Sequence, residues 1–504
     1  MAKNDVAAVV QGAPAWRPKA FDEDDPLNYR LGWLPRNDAG NAERLLLRFG
    51  DDLIYVREIG WHWWDGRRWS VQEGDVMVNR LAHDTVKCIY DECTAFQDAG
   101  DNPDKAVGRD QVDDHFKWAH ASGNAQRMNA MVNIVRHYLT KGPRDLDANP
   151  MLLNLANGTL LLEGKCDELR PHDRGDFATK IIDVEFDLKA KCPLFMAFIE
   201  EIVPDRAVRD FLQRSFGYAL TGLIGEQVMW FFHGHGANGK SVLVDLMSRL
   251  LGPYCTSVPF SSLTLDDRKR GSDASPDLAR LPGARMVRAS EPEKGAKFSE
   301  SIIKMVTGGE EMTVRHLNHG FFDFMPQFKL FVSGNHKPII RGQDHGIWRR
   351  MNLVPFTVTI PEGRKDKKLA EKLWRERSGI LNWLIDGFLH WQEDGLAPPE
   401  AVTAATAQYR EESDALGPFI STWTIEAERS YVQARQLYDA YCLWCTENAA
   451  EPVSNTLFGR MLSERGLEKD RSGVVTYKGL ELTEAALDAL DARTRKRQAR
   501  HEDD

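Results

Sequence analysis

Val228-Met-Trp-Phe-Phe-His-Gly-His-Gly-Ala-Asn-Gly-Lys-Ser241, near the middle of the 504 residues, decides how this chain is read. An apolar run ends at Phe232, the spacing Gly234-x-x-x-x-Gly239-Lys240-Ser241 follows, and Val242 to Leu251 is apolar at helical intervals. Strand, glycine loop and helix form the setting that a phosphate-binding P-loop requires. Gly234, Gly236 and Gly239, with Ala237 and Asn238 between them, let backbone N–H groups curl around phosphate oxygens. The positive end of the following helix adds to the attraction. Lys240 supplies a point charge to the β- and γ-phosphates, and Ser241 places a hydroxyl on Mg²⁺. The competing reading is a glycine turn that merely caps a helix, and the strand before it and the helix after it weigh against that. The expected ligands are a nucleoside triphosphate, ATP, and Mg²⁺.

Composition sets wider bounds. A chain of this length implies about three or four domains. Hydrophobic residues make up 42%, and 14 tryptophans are ample for packed cores. Seven scattered cysteines form no framework, which fits a reducing cytoplasm. Cys442-Leu-Trp-Cys445 has a suggestive spacing, but it falls in a helical stretch with no second pair nearby, so core packing is the better reading. No apolar run approaches membrane-spanning length, the N-terminus has no apolar signal core, and no membrane partner is expected. The formal charge of −10 means that any nucleic-acid contact must be a local basic surface.

Outward from the P-loop, residues 1–25 read as a disordered leader and 26–145 as an N-terminal α+β domain. Within that domain Asn41–Arg48 is helical, Leu53–Val56 is a strand, and Trp61–Trp69 forms strands turned by Asp65-Gly66. Its four tryptophans could stack on bases, although an aromatic hairpin in a small domain is more often core. Residues 75–97 and 109–140 have helical periodicity. Residues 152–164 look like strands, and 195–220 look helical again. After the P-loop helix, the strand Met286–Ala289 ends in Glu291-Pro-Glu293, where carboxylates can hold Mg²⁺ and polarise water. Lys329–Ser333 is a third strand that ends in Asn335, a polar side chain able to orient water. The spacings from Lys240 to Glu291 and from Glu291 to Asn335 are similar, each leaving room for a helix within a parallel sheet. Between them lie the helix around Lys304 and the hairpin-like run Met312–Phe324, with Arg315, His316 and His319 at or near its tip. Alone, such a tip is more often a solvated turn than a DNA contact. Arg349 and Arg350 precede a strand at 352–356 and could reach a neighbour's γ-phosphate, although paired arginines are usually surface charge.

Taken in order, Gly236-Ala-Asn-Gly-Lys-Ser241, Ser290-Glu-Pro-Glu293, Lys304-Met-Val-Thr-Gly-Gly309, Ser333-Gly-Asn-His-Lys-Pro338 and Gly346-Ile-Trp-Arg-Arg350 resemble a superfamily 3 helicase. The resemblance is to the phage and plasmid primase–helicases, the group that includes satellite-phage primases and the poxvirus primase–helicase. It runs from about Asn41 to Gly479, with Asn154–Gly158 and Leu212–Gly222 upstream of the P-loop. It implies an α/β fold with an AAA+ type P-loop core, working as a homo-hexamer that moves 3′ to 5′ along single-stranded DNA at a replication fork. It further implies that Glu291 and Glu293 form the acidic motif, Asn335 is sensor 1, and Lys304 acts on the neighbour's nucleotide. Arg349 or Arg350 would be the arginine finger, and the Arg315–His319 region the DNA-tracking hairpin. Full primases of this group carry a polymerase-like domain. Residues 1–150 are too short and aromatic-rich to match it, so a primase or polymerase would be a separate partner.

Residues 146–222 then read as a helical collar-like region, 223–394 as the ATPase core, and 395–415 as a linker around Pro398-Pro399. Residues 416–482 resemble a winged-helix-like domain, with Leu437–Cys445 and a helix capped by Ser454 followed by a short hairpin. Residues 483–504 are a basic and acidic tail. The leading expectation is an ATP-driven replicative DNA helicase in a bacterial host's cytoplasm. A P-loop ATPase that binds or remodels DNA as an origin initiator is the alternative. A small-molecule kinase would leave the hairpin and the arginine pair unexplained.

Overall fold

The computed structural model describes residues 26–102, 105–264, 277–289, 291–315, 321–340, 345–471 and 473–502, so the expected leader lies outside it. The N-terminal unit opens with α1 (Leu27–Gly32) and α2 (Asp38–Phe49), the latter capped by Asn37, whose side chain accepts from Gly40 N at 2.8 Å. Strands β1 (Leu53–Val56), β2 (Gly60–Trp64) and β3 (Trp69–Ser70) form an antiparallel meander. Asp65 sets its turn by accepting from Arg67 N and Arg68 N, both at 2.8 Å. Trp61, Trp64 and Trp69 are buried, so the aromatic hairpin is core. Helix α3 (Gly74–Asp98) follows as expected. The single helix expected over 109–140 is instead two, α4 (Arg109–Ser122) and α5 (Ala125–Tyr138), because Asn124 caps a new start by accepting from Gln126 N at 3.2 Å. The centre of this unit is the buried Glu92 carboxylate, held by Arg44 at 2.8 Å, Arg48 at 3.0 Å and His115 at 3.1 Å. Burial alone would raise its pKa. The hydrogen bond from His115 and the charge of Arg44 outweigh burial and hold it below the usual value.

Strand β4 (Thr140–Lys141) returns beside β1, and a second sheet follows: β5 (Leu152–Leu155), β6 (Gly158–Leu161) and β7 (Leu169–Arg170). The collar-like expectation for 146–222 is therefore corrected. Helices occupy only its second half, α6 (Pro193–Ile202) and α7 (Arg206–Tyr218), separated at Pro204, with Asp205 capping the second.

The central sheet begins with β8 (Met229–His233), which leads through the P-loop to α8 (Lys240–Leu251) and β9 (Cys255–Val258). Next come β10 (Met286–Ala289), α9 (Glu300–Gly308), the hairpin β11 (Met312–Arg315) and β12 (Phe321–Phe324), and β13 (Lys329–Gly334). Helix α10 (His345–Trp348) and strand β14 (Met351–Pro355) close it. The five strands run parallel in the order β14-β8-β13-β10-β9. The chain steps from β9 through β10 to β13, towards β8, and then crosses to the far side of β8. This reversal places a crevice at the carboxyl ends of the strands, where open α/β sheets bind ligands. Trp230 and Phe232 point into one core, and Met229 and Phe231 into the other, so β8 is buried on both faces.

Helices α11 (Leu369–Trp374) and α12 (Arg377–Asp394) return to the first half of the molecule. Helix α12 lies hard against α7, because a Cβ on Gly217 would sit 2.1 Å from Phe388 N and one on Gly387 2.1 Å from Gln213 O. Leu153, Phe211, Trp230 and Leu384 thus share one core, and the boundary expected at 222/223 does not divide two. Nor is 395–415 a linker. Within it, α13 (Glu400–Glu412) packs on β14, Thr406 Oγ1 accepts from Leu353 N at 3.0 Å, and the buried Tyr409 hydroxyl donates to Pro338 O.

The C-terminal unit contains α14 (Gly417–Trp423), β15 (Thr424–Gln433), α15 (Ala434–Glu447), α16 (Asn455–Glu464), β16 (Lys469–Asp470) and β17 (Thr476–Leu482). Ser454 caps α16 by accepting from Leu457 N at 3.4 Å, so both expected helices are present. The hairpin expected within 474–482 is instead the single strand β17, which pairs with β16 at 469–470. Strand β15, which joins β17, was not anticipated. Cys445 is buried in this core. The expected tail is a helix, α17 (Glu484–Glu502), which buries Ala486 and packs Leu490 against the same core.

Two buried cations tie the second sheet and the turn after α7 to the amino end of the central sheet. The Arg285 guanidinium donates to the carbonyls of Leu220 and Leu152, and Lys329 Nζ donates to the carbonyls of Thr221 and, at 3.1 Å, Leu223. Burial pushes the Lys329 pKa well below its ordinary value. Lys329→Met should lower stability by about 1–3 kcal/mol, because carbonyls lose their donor. The unfolded state holds the Lys329 proton over a window from the lowered value up to about 10.4, where the folded state does not. The wild type should therefore gain stability relative to Lys329→Met as pH rises through that window. Denaturant titrations at several alkaline pH values check the sign.

Candidate active site

The loop after β8 is shaped by contacts that only some of its residues must satisfy. A Cβ on Gly234 would lie 2.3 Å from Phe356 O, and one on Gly239 would lie 2.4 Å from Ile202 Cγ2 at a φ of +74°. Both positions require glycine. Gly236 does not, since it has no positive φ and open space around it. The second left-handed position is Ala237, at φ +62°, whose carbonyl accepts from Ile360 N at 2.7 Å. The tightly constrained positions of the loop are thus two glycines and a strained alanine.

Lys240 is the first residue of α8 and is buried, not an exposed loop charge. Its Nζ donates to Gly234 O at 3.1 Å, Gly334 O at 2.9 Å and Asn335 Oδ1 at 3.3 Å. Burial lowers its pKa, and the Glu291 carboxylate opposes that shift. Asn335 N in turn donates to Glu291 Oε1 at 2.8 Å. Residues from the P-loop, the end of β13 and the segment after β10 are thereby joined in one hydrogen-bonded chain. They line a cleft of about 390 Å³ together with Ser241 and Asn238, whose Nδ2 is buried without a partner among the described residues. His233, at the end of β8, is kept below its usual pKa by burial and by the charges of Lys337 and Lys240.

Asp245 and Arg288 also line this cleft and were not anticipated. The Arg288 guanidinium pairs with the Asp245 carboxylate and donates to Ser257 Oγ at 2.6 Å. The available signal was a charge in the middle of the apolar Met286–Ala289 strand.

The other expected residues are spread more widely. Glu293 is exposed on the loop beyond Glu291 and does not line the cleft. Lys304 lies on α9 and is half-buried outside it. Arg349 is exposed, and its Nη2 donates to Gln227 Oε1 at 2.8 Å. Arg350 is buried, with Nε donating to Thr307 Oγ1 at 3.1 Å and Nη1 to Gly346 O at 2.6 Å. The Arg350 guanidinium is thus engaged within its own chain, and Arg349 is the exposed member of the pair. Both arginines precede Met351, which pairs with Met229 at the start of β8, whereas the P-loop leaves its end. Four residue steps of about 3.3 Å separate the two ends by roughly 13 Å. Arg315 is the last residue of β11, its guanidinium 4.8 Å from the Phe321 ring centre, while His316 and His319 lie outside the described residues.

The two kinds of loop glycine make a direct test. Gly239→Ala should destabilise the protein by about 1–3 kcal/mol through backbone strain and the clash with Ile202. Gly236→Ala should stay within about 0.5 kcal/mol of wild type. Thermal or denaturant unfolding of both variants separates them, and equal effects would refute this account of the loop.

Residues 42–204 match the family described as D5 N terminal like. Protein L207/L206 of Acanthamoeba polyphaga mimivirus, which carries a helicase name, is 29% identical over 326 residues, covering 60% of this chain and 34% of its own. Protein 022R of Frog virus 3, also named as a helicase, is 28% identical over 282 residues, covering 52% of this chain and 29% of its own. Protein C962R of African swine fever virus (isolate Pig/Kenya/KEN-50/1950), named as a primase, is 24% identical over 328 residues, covering 60% and 34%. The chain thus spans about a third of the length of these relatives. Among solved structures, the apo C terminal region (305–718) of NrS-1 aligns at 11% identity over 60% of this chain and 78% of that one, with a TM-score of 0.36 that is too low to argue from. With a D5 N terminal like region ahead of the P-loop and relatives named for both helicase and primase, the chain is similar to the D5-like primase–helicases.

Proposed function

We propose that this chain is the ATP-hydrolysing motor of a DNA replication helicase, of superfamily 3 type, acting as a ring, a hexamer in the form the resemblance implies. The observation that carries the reading is the hydrogen-bonded chain Lys240–Asn335–Glu291 at the carboxyl ends of the sheet, with the exposed Arg349 at the opposite end. Lys240, now bonded to loop carbonyls, is placed to exchange them for β- and γ-phosphate oxygens. Glu291 is the carboxylate positioned to polarise water, and Asn335 holds both it and Lys240. The donor set fits Mg²⁺, which takes only one or two protein oxygens when substrate phosphates supply the rest. Ser241 and Glu291 would hold it, and when bound it neutralises charge across the phosphates. Glu293 would complete the acidic motif beside Glu291, and Lys304 would act on the nucleotide of a neighbouring subunit.

Arg349 cannot reach the P-loop of its own sheet across that separation, so a finger role requires a second copy of the chain. The Arg315–His319 hairpin is the segment proposed to track single-stranded DNA. The relatives' helicase names support a replication role, and a separate primase or polymerase is the partner that such a role would need. A phage, prophage or plasmid system in a bacterial cytoplasm is the proposed setting. Among the described residues, no helix is long and apolar enough to cross a membrane.

ATP-dependent strand displacement on a forked duplex is the deciding experiment, since ATP turnover without displacement would return the origin-initiator reading. Lys240→Ala and Arg349→Ala should each lose most turnover, the latter by up to about 10³-fold or more. Mixing the two proteins after verified subunit exchange should restore part of it, because some interfaces then pair an intact P-loop with an intact arginine. Exchange with no recovery would sink the shared site. Replacing Arg315, His316 and His319 together by Ala should reduce displacement and spare basal turnover, and undiminished displacement would move the tracking role elsewhere.

A further inference from the structure

A cleft of about 640 Å³ lies at the other end of the sheet from the P-loop, between the N-terminal unit and the base of the β11–β12 hairpin. Four cations from separate parts of the chain line it: Arg68 from the β2–β3 turn, Arg144 after β4, Lys180 after β7, and Arg280 before β10. Arg68 is paired with Asp65 at 3.4 Å and Arg144 with Glu311. Lys180 and Arg280 have no carboxylate within ion-pairing distance among the described residues. Asp147 is the one acid among the described lining residues, and Thr179 already holds it through its N–H at 2.8 Å and its hydroxyl at 2.5 Å. In a chain of net charge −10, a cavity of this polarity is built against the prevailing field.

We propose that this cleft is a second nucleic-acid site, which holds a short stretch of single-stranded DNA by its phosphates and delivers it to the hairpin. Lysine and arginine spread over several segments suit a polyanion better than one small anion. Met325, 49% exposed just past β12, and Val71, 45% exposed, offer apolar surface beside the charges against which a base can rest. The wall shared with Phe324 and Met325 makes the cleft continuous with the hairpin strand itself. A cleft of this volume takes one or two nucleotides and is too small for a duplex. The inference rests on the motor reading, with the DNA path as its added content.

The test measures binding of a fluorescent 20-mer of oligo-dT by anisotropy across a salt series, with basal ATP turnover measured on the same preparations. Lys180→Ala/Arg280→Ala should bind roughly tenfold more weakly at low salt, and its log–log salt slope should be shallower by about 1.4, two contacts at about 0.7 each. Arg280→Lys in an otherwise wild-type chain should keep most of the affinity. Lys189→Ala/Arg206→Ala, exposed residues outside the cleft, should leave binding unchanged. Wild-type affinity and slope in a Lys180→Ala/Arg280→Ala protein that still turns over ATP would overturn the cleft alone. Equal weakening by the Lys189/Arg206 control would overturn it as well, as would displacement of the oligonucleotide by poly-aspartate of equal charge, which points to an acidic polypeptide. No oligonucleotide binding by the wild type would remove the motor reading together with the inference.

Discussion

Strand β8 is hydrogen-bonded along both edges, to β13 on one side and β14 on the other, and buried on both faces. Everything that gives the site its geometry depends on that constraint. The strand cannot slide or tilt without breaking two ladders and two cores, so the loop at its end and the arginines level with its start are held at a fixed separation. Lys240 then fastens the loop to the end of β13. A parallel sheet with the glycine loop on an interior strand converts a flexible turn into part of a rigid frame.

Charge is distributed along this frame with an evident logic. At the carboxyl end, Lys240 and Arg288 stand beside Glu291 and Asp245, so cations and acids meet around one cleft. At the amino end, Arg285 and Lys329 are buried among carbonyl oxygens, the Thr221 hydroxyl and aromatic faces, 4.7 Å from the Tyr254 ring centre and 4.6 Å from that of Tyr218. Carbonyls of the 220–223 turn and of Leu152 fill the role that carboxylates fill elsewhere. The second sheet is thereby fixed by directional bonds to backbone, which do not depend on a side-chain partner being present.

Local signals in the sequence carried far. The strand and helix around the P-loop, the strands β10, β13 and β14, the Asp65 turn and the Ser454 cap are written in adjacent residues, and the structure has them where the spacing puts them, whereas β9 was not anticipated. What stayed illegible depends on distant partners. Pro398-Pro399 reads as a break, yet the helix behind it is committed to β14 through Thr406 and Tyr409. Arg349 and Arg350 are indistinguishable as letters, and only the packing of α9 shows that one is engaged by Thr307 and the other is exposed. Gly236 looks indispensable in the motif, whereas the strained position fell on Ala237, because left-handed backbone is a property of the folded loop. The shared core of Phe211, Trp230 and Leu384 joins segments that sequence reading had to assign to different units.

Helix α13 covers an edge. Strand β14 is the last in its sheet, and its outward N–H at Leu353 is satisfied by the Thr406 hydroxyl, not by another strand. An uncovered edge of such apolar character would be a template for pairing with other chains. A fragment trimmed after Asp394, where the sequence invites a cut, would strip that cover and leave Leu353 and Val354 beside an open ladder. A central sheet isolated from the C-terminal unit has to keep residues through Glu412 to remain a well-behaved solute.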